Sequence, residues 1–229
     1  MKVAIHQPSY APWCGYFAKI WYADAFIFLD DAQMTKNNLV NRNRICLHGK
    51  EQWITVPVRF SLGDPICATG LADPQWPARH RGQLEQCYRR APHFREVAEM
   101  LDGVYSLEHA NLAELNICMT KAILGYLGLE RPLYRASELQ CPGKADDRLV
   151  RLVLRVGGET YVSGPGGMHY QDPAKFSRAG LRLEVKAYSP IPYPQASPTF
   201  IPNLSILDAL FNLGLGAASL LRYMSDDER

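Results

Sequence analysis

The sequence lacks the patterns that mark several common classes of functional site. Its six cysteines are widely and irregularly spaced, and neither a CxxC nor an HExxH motif occurs. These absences argue against a zinc ribbon, a thioredoxin-type redox site and a zincin, so we expect reduced thiols and no metal site. No apolar stretch approaches the ~18 residues of a membrane span, and no charged start with a long apolar run marks a signal peptide. We expect a cytoplasmic protein with no membrane partner.

The sequence also has little excess of one sign of charge over the other. The 25 Lys and Arg residues nearly balance the 23 Asp and Glu residues, and the net charge of +2 is too small to predict DNA as a partner. No repeat of about 20–50 residues and no low-complexity tract is present, which excludes repeat architectures. The 229 residues, 47 % of them hydrophobic, are enough to form a substantial core without disulfide or metal cross-links.

Strand and helix patterns alternate along most of the chain. Short apolar runs predict strands at 2–5, 25–29, 52–59, 133–136, 160–163 and 181–187. Apolar residues at helical spacing predict helices at 15–22, 146–156 and 205–213, and three consecutive helices at about 78–90, 93–105 and 109–127. This pattern is typical of the α/β class. We expect an open, mostly parallel, Rossmann-like sheet from residues 1–77 and 130–229, with a helical insertion or subdomain at 78–129.

Polar side chains follow the first two predicted strands directly. His6 and Gln7 come after the first strand, and Asp30 and Asp31 after the second. Ligands bind outside the carboxyl ends of strands in open α/β sheets, so we expect these groups around one crevice. The structural alternatives are a histidine bonded to nearby backbone and aspartates that cap a turn.

The polar residues after the second predicted strand continue with cationic and amide side chains: Lys36, Asn41, Arg42, Asn43 and Arg44. Arginine binds phosphate and carboxylate groups through two parallel hydrogen bonds, and the run contains no acid. Two arginines spaced two apart would face the same side of an extended segment. Contact with an anionic ligand and a solvated edge are the two interpretations of this run.

Three further sets of residues are ambiguous between chemistry and structure. Ser163 and Gly164 open a glycine-rich segment that could present backbone amides to an anion, or could form a tight turn. Ser205 and Asp208 have the spacing of a helix capping box, which we favour over catalysis. His80 falls on a predicted helix, where a solvated position is the default, although it could reach the crevice; Cys14 is expected as a buried filler.

Taken together, the motifs resemble the WbqC-like family of bacterial proteins. The resemblance covers nearly the whole chain, through VAIHQPSYAPWCGYFAKI, AFIFLDDAQMTKNNLVNRNRI, WITVPV, PQWPARHRGQLEQCYRRAPHF, YVSGPGGMHY, YPQ and FIPNLSILDALFNLG. Members of that family are encoded among genes for O-antigen and other surface polysaccharides. The resemblance implies transfer of an acyl group, glycine in some proposals, to the amine of an amino sugar.

The resemblance also implies which positions act, and Cys14 departs from the family pattern, where an apolar residue is expected. The catalytic candidates are His6, Asp30, Asp31 and His80. The substrate-binding candidates are Gln7, Tyr10, Lys36, Asn41, Arg42, Asn43, Arg44, Ser163, Gly164, Gln195, Ser205 and Asp208, of which Tyr10, Ser163 and Gly164 come from their place in the sequence rather than from the family.

We therefore expect an acyl- or aminoacyltransferase that forms an amide on an amine acceptor, in surface-polysaccharide or natural-product biosynthesis. His6 would transfer the proton, the amides of residues 163–167 would stabilise the oxyanion, and Lys36, Arg42 and Arg44 would hold phosphate groups.

The cofactors and partners follow from this expectation. No tightly bound cofactor is expected; the acyl donor would be linked to an acyl carrier protein, CoA or tRNA, and a homo-oligomer stays open. One alternative is an ATP-dependent amide ligase or nucleotidyltransferase-like enzyme, although the HxGH signature is missing. Another is a non-catalytic protein that binds a sugar nucleotide.

Overall fold

A parallel sheet of five strands forms the centre of the protein in a computed structural model that describes residues 1–36 and 38–222. The elements, in chain order, are β1 (Lys2–His6), α1 (Cys14–Tyr22), β2 (Ala25–Phe28), β3 (Arg42–Leu47), β4 (Lys50–Thr55), β5 (Val58–Arg59), β6 (Gly70–Leu71), α2 (Trp76–Tyr88), α3 (Phe94–Tyr105), α4 (Leu112–Tyr126), β7 (Leu133–Arg135), α5 (Ala136–Leu139), α6 (Ala145–Arg155), β8 (Thr160–Ser163), α7 (Pro173–Arg178), β9 (Arg182–Val185) and α8 (Ile206–Leu213).

The strand order of the sheet is β7-β2-β1-β8-β9, and every neighbouring pair is parallel. Counted along the chain, these strands lie in the order 3-2-1-4-5, the start of the doubly wound arrangement. The chain first extends the sheet on one side of β1 and then, from β8 onwards, on the other side. The predicted α/β class and the open parallel sheet are confirmed.

The sheet is covered on both faces. Val3 and Ile5 of β1 belong to a hydrophobic cluster that includes Val153 of α6 and Phe176 of α7. Ala4 belongs to a larger cluster on the other face, to which α1, α2, α3, α4 and α8 contribute. Successive side chains of a strand point to opposite faces, so an apolar run such as that of β1 fills both clusters at once.

The three helices predicted in the middle of the chain form as α2, α3 and α4. Asn111 caps α4, because its side-chain oxygen accepts a hydrogen bond from the Glu114 amide at 3.0 Å. These helices share the larger hydrophobic cluster with the sheet. The division into a sheet domain and a helical insertion stays a prediction. Within the part of the chain that the structure describes, no helix has the length and apolar character to cross a bilayer.

The strand predicted over 52–59 does not join the main sheet. Its residues fall into β4, which pairs antiparallel with β3, and β5, which pairs with β6. The β3–β4 turn explains the difference: His48 and Gly49 have φ of 50° and 75°, the left-handed pair that a tight hairpin requires. β3 itself was not predicted, because its sequence begins with the polar run Arg42–Arg44.

Candidate functional site

A crevice of about 830 Å³ opens at the carboxyl ends of the central strands. Its walls come from the ends of β1, β2 and β8, from α1, and from the first turn of α6. β1 and β8 are neighbours at the point where the strand order reverses, and ligands of doubly wound folds bind there. Five of the predicted site residues line this strand-end crevice: His6, Gln7, Asp31, Ser163 and Gly164.

His6 is the last residue of β1 and is held as a neutral base. Its Nδ1 lies 3.0 Å from the Gln7 carbonyl oxygen; a carbonyl only accepts, so Nδ1 donates and the Nε2 lone pair is left. Among the described residues, none hydrogen-bonds Nε2. The side chain is open to the crevice but surrounded by protein, and this desolvation, with the nearby Lys19 ammonium, lowers the pKa of His6 to about 4. The imidazole is therefore uncharged at neutral pH.

Lys19 of α1 also lines the crevice, although it is not among the residues predicted from the sequence. Its side chain is buried, and Nζ donates to the Ile5 carbonyl oxygen at 3.1 Å. Burial lowers the pKa of Lys19 to about 8, because desolvation disfavours the charged form. A signal was present: Lys19 is the one charged residue in the run Cys14–Ile20, all of which is buried. A lysine inside an apolar helix is a marker of function rather than of solubility.

The two neighbouring aspartates have different surroundings. Asp31 lines the crevice and forms an ion pair with Arg148 of α6, which also donates from Nε to the Cys141 carbonyl oxygen at 3.1 Å. Asp30 is 1 % exposed and accepts from the amide and hydroxyl of Ser137, at 3.0 and 2.6 Å. Asp30 therefore fixes the start of α5 and does not cap the turn that follows it, so the turn-capping interpretation is wrong for this residue, while Asp31 holds α6 at the crevice wall.

The segment after β8 forms a short 3₁₀ helix, Pro165–His169, whose glycines have different roles. The Ser163 hydroxyl donates to the Gln171 side-chain oxygen at 2.8 Å, so its proton is committed to a structural bond. A Cβ at Gly167 would lie 2.3 Å from the Ser163 oxygen, so only glycine fits there. A Cβ at Gly164 or Gly166 would meet nothing within 4 Å, and both residues line the crevice. Gly164 and Gly166 therefore leave open space at the crevice wall.

The residues predicted to bind phosphate do not line the crevice. β3 lies in the hairpin, outside the five-stranded sheet, and its polar side chains are engaged there with other protein groups. Arg44 pairs with Glu51 at 2.9 Å, Asn43 donates to the Ala11 carbonyl oxygen at 2.8 Å, and Arg42 lies over the Trp53 ring at 4.3 Å. Asn41 donates to the Val56 carbonyl oxygen at 2.9 Å, and Lys36 is exposed in the loop before the hairpin.

His80 and Tyr10 form a buried chain of hydrogen bonds away from the crevice. His80 Nε2 donates to the Thr55 carbonyl oxygen at 3.0 Å, and the Tyr10 hydroxyl donates to Nδ1 at 2.8 Å. The Tyr105 hydroxyl lies 2.8 Å from that of Tyr10 and completes the chain. The solvated position expected for His80 is wrong: it is 2 % exposed, and burial lowers its pKa to about 4. Both of its nitrogens are occupied, so this histidine holds α2 to the hairpin.

The predicted site residues Gln195, Ser205 and Asp208 belong to a structural network around α8. The Ser205 oxygen accepts from the Leu207 amide at 3.2 Å and caps the helix, as expected. Asp208 does not complete the capping box; it accepts from the hydroxyls of Tyr88 and Tyr193, both at 2.8 Å, and from the Gln195 amide at 3.0 Å. Burial raises the pKa of Asp208, and these donors oppose the shift. The network ties residues 193–201 to the larger core.

Cys14 is the buried thiol that the sequence analysis expected. Desolvation raises its pKa to about 12, which leaves it protonated and unsuited to nucleophilic attack at neutral pH. In the described part of the chain, no group of three or more His, Cys, Asp or Glu side chains is arranged to hold a metal ion. The chemistry available in the crevice is therefore that of an imidazole base, a buried amine, an ion pair and open glycine backbone.

Comparison with known proteins agrees with the motifs quoted above. No solved structure matches this chain. The sequence is similar to "Uncharacterized protein Rv1507c" of Mycobacterium tuberculosis, with 38 % identity over 226 residues that cover 97 % of this chain and 98 % of the relative. The model of one protein family matches residues 7–219, a span that contains the crevice, the hairpin and the α8 network. The chain belongs to the WbqC-like protein family.

Proposed function

We propose that this protein is an acyl- or aminoacyltransferase that forms an amide bond on an amine acceptor, an amino sugar or a similar compound. The observation that carries the proposal is His6: a neutral imidazole whose Nε2 has no hydrogen-bond partner among the described residues, inside a crevice at the switch point of the sheet. The membership of the WbqC-like family supports a role in surface-polysaccharide or related natural-product biosynthesis, through the resemblance described above.

The reaction needs one proton transfer and one stabilised negative charge. The acceptor nitrogen attacks the donor carbonyl, the new C–N bond forms, and the carbonyl oxygen gains negative charge. His6 Nε2 takes the proton from the attacking nitrogen and returns it to the leaving thiol or hydroxyl when the bond to the donor breaks. The backbone amides of residues 163–167 would stabilise the oxyanion, and the open space beside Gly164 and Gly166 at the crevice wall supports this role.

The expected donor is one of the activated acyl compounds of the cytoplasm. A thioester on CoA or an acyl carrier protein, or an ester on tRNA, has a leaving group good enough for attack without further activation. Such a donor makes a tightly bound cofactor unnecessary. The crevice volume of about 830 Å³ is sufficient for an amino sugar together with the end of a pantetheine arm.

The first test replaces the base. We expect His6→Gln to lower turnover about 10²-fold or more, because glutamine keeps a polar group of similar reach but cannot take the proton. Amide formation would be followed by mass spectrometry with acyl-CoA and an amino-sugar nucleotide. The matched control is His48→Asn, at an exposed hairpin position whose left-handed backbone asparagine accepts. Equal turnover in wild type and His6→Gln would contradict the role of general base.

A second candidate function is an ATP-dependent amide ligase or a nucleotidyltransferase-like enzyme. The observation that favours it is the 3-2-1-4-5 strand order with the crevice at the switch point, an arrangement that many nucleotide-binding sheets share. Release of AMP or ADP that depends on the amine acceptor would establish this function in place of the first. Amide formation from an acyl thioester in the absence of ATP would exclude it.

A further inference from the structure

The lining of the strand-end crevice has more positive than negative charge. Three cationic side chains, those of Lys19, Lys144 and Arg148, line it, against the single carboxylate of Asp31. Asp31 already forms its ion pair with Arg148. Within the described residues, neither lysine has an acidic partner. A crevice with this composition attracts anions.

Lys19 is the more telling of the two lysines, because its side chain is only 8 % exposed. One of its three N–H groups is used by the Ile5 carbonyl oxygen at 3.1 Å. A buried ammonium group normally has an acidic partner, since desolvation without one is costly. In this fold the partner is missing from the described residues, and the open side of the group is the crevice. A bound anion would supply the compensating negative charge.

The surroundings of Lys19 favour a phosphate over other anions. The first turn of α6 begins at the crevice wall and has no side-chain cap at Lys144, and a helix N-terminus favours negative charge. The two acids of that turn face α7 instead: Asp146 accepts from the Asp172 amide at 2.9 Å, and Asp147 pairs with Lys175 at 3.1 Å. Across the crevice, Gly164 and Gly166 leave room for a tetrahedral group.

We propose that the crevice binds a phosphate group of the substrate, with Lys19 as its principal ligand and Lys144 and the start of α6 beside it. The inference rests on the proposed function for the identification of the crevice as the substrate site, and it adds the class of substrate: a phosphate ester or a diphosphate. It also moves the phosphate site from Arg42 and Arg44, which are engaged in the hairpin, to residues of α1 and α6.

The test measures binding of pyrophosphate by titration calorimetry at pH 7 and constant ionic strength. Wild-type protein should bind, and Lys19→Met should bind about ten- to hundredfold more weakly, because a charge-assisted hydrogen bond is lost. Lys50→Met, which removes an exposed lysine of the hairpin, should bind as wild type does. The unliganded Lys19→Met protein should melt no lower than wild type, because methionine fills the same space without an unpaired buried charge.

Equal affinity of wild type and Lys19→Met, or no binding of pyrophosphate by wild type, would overturn the proposal. If Lys19→Met fails to fold, Gly166→Asp replaces it: the carboxylate enters open space at the crevice wall and should weaken pyrophosphate by repulsion, while unchanged affinity would count against the site.

Separate titrations with UDP, ATP and 4′-phosphopantetheine identify whether the phosphate belongs to a sugar nucleotide, to ATP or to the acyl donor. Because binding is measured without turnover, a negative result leaves amide formation standing, and the His6→Gln assay tests that function independently.

Discussion

At the scale of single residues, His6 and His80 show that a lowered pKa does not by itself identify a catalytic group. Desolvation by the surrounding protein lowers the pKa of both imidazoles to about 4, although His80 is buried and His6 is open to the crevice. His80 uses both ring nitrogens in hydrogen bonds, whereas among the described residues His6 uses only Nδ1. The difference that matters for chemistry is the unoccupied nitrogen, and only the packed structure shows it.

His80 should make the protein sensitive to mild acid. An unfolded histidine binds its proton near pH 6.5, and the folded one near pH 4. Between these values the unfolded state binds more protons, so the free energy of unfolding falls as the pH drops from 6.5 to 4, by up to about 3 kcal/mol for a group this deeply buried. Urea unfolding at pH 7 and pH 4.5 measures the loss.

The matched variant is His80→Gln, which can still donate to Thr55 and accept from Tyr10. It should lose less stability than wild type over the same pH interval, with the remainder coming from His6, whose pKa is shifted in the same direction. The same loss in both proteins would show that His80 does not contribute.

At the scale of elements, the segment after β8 contains one glycine without room for a side chain, Gly167, and two that border open space, Gly164 and Gly166. Gly167→Ala places a methyl group on the Ser163–Gln171 hydrogen bond, so it should lower the free energy of unfolding by roughly 1–3 kcal/mol. Gly166→Ala should leave it within about 0.5 kcal/mol, since nothing lies within 4 Å of the new atom. Chemical denaturation of the two variants compares them. A destabilised Gly166→Ala, or an unaffected Gly167→Ala, would contradict this account of the segment.

The elements that the sequence predicts well are those built from apolar runs. β8 was predicted with its observed bounds, and α2, α3 and α4 within a few residues, because each follows one hydrophobic period. The β3–β4 hairpin was not recognised, because β3 begins with the polar run Arg42–Arg44, and the contacts that satisfy those side chains are not visible in the sequence. Asn43, for instance, donates to the backbone of Ala11.

The candidate site was predictable only in part, for the same reason. Strand ends can be read from sequence, and they supplied His6, Asp31 and Ser163. The partners that decide what each residue does cannot be read from the sequence. Asp30 and Ser137 are hydrogen-bonded although they lie 107 positions apart, and Arg148 and Asp31 although they lie 117 apart. Lys19 lay inside the predicted helix 15–22 and was not singled out, although it is the one charged residue in the buried run Cys14–Ile20.

At the scale of the whole molecule, the protection of backbone amides against hydrogen exchange should decrease from the central sheet towards residues 186–204. β1 is central and buried on both faces, while residues 186–204 form no regular helix or strand and are largely exposed or half-buried. Amide hydrogen exchange should therefore be slowest in β1, β2 and β8 and fastest in this segment, except where Gln195 binds Ile201. Protection of residues 186–204 equal to that of β1 would show that the Asp208 network fixes the whole segment.

The central position of β1 also has a consequence for synthesis on the ribosome. Lys2 pairs with Thr160, which follows it by 158 positions, whereas the other edge of β1 meets β2 only some twenty residues later. At about 5–20 residues per second, roughly 8–30 s pass before β8 emerges. Throughout that time one apolar edge of the nascent β1–β2 pair stays unpaired, and such edges recruit other chains. The interval between the translation of two neighbouring strands is therefore a source of aggregation that is separate from the stability of the finished sheet.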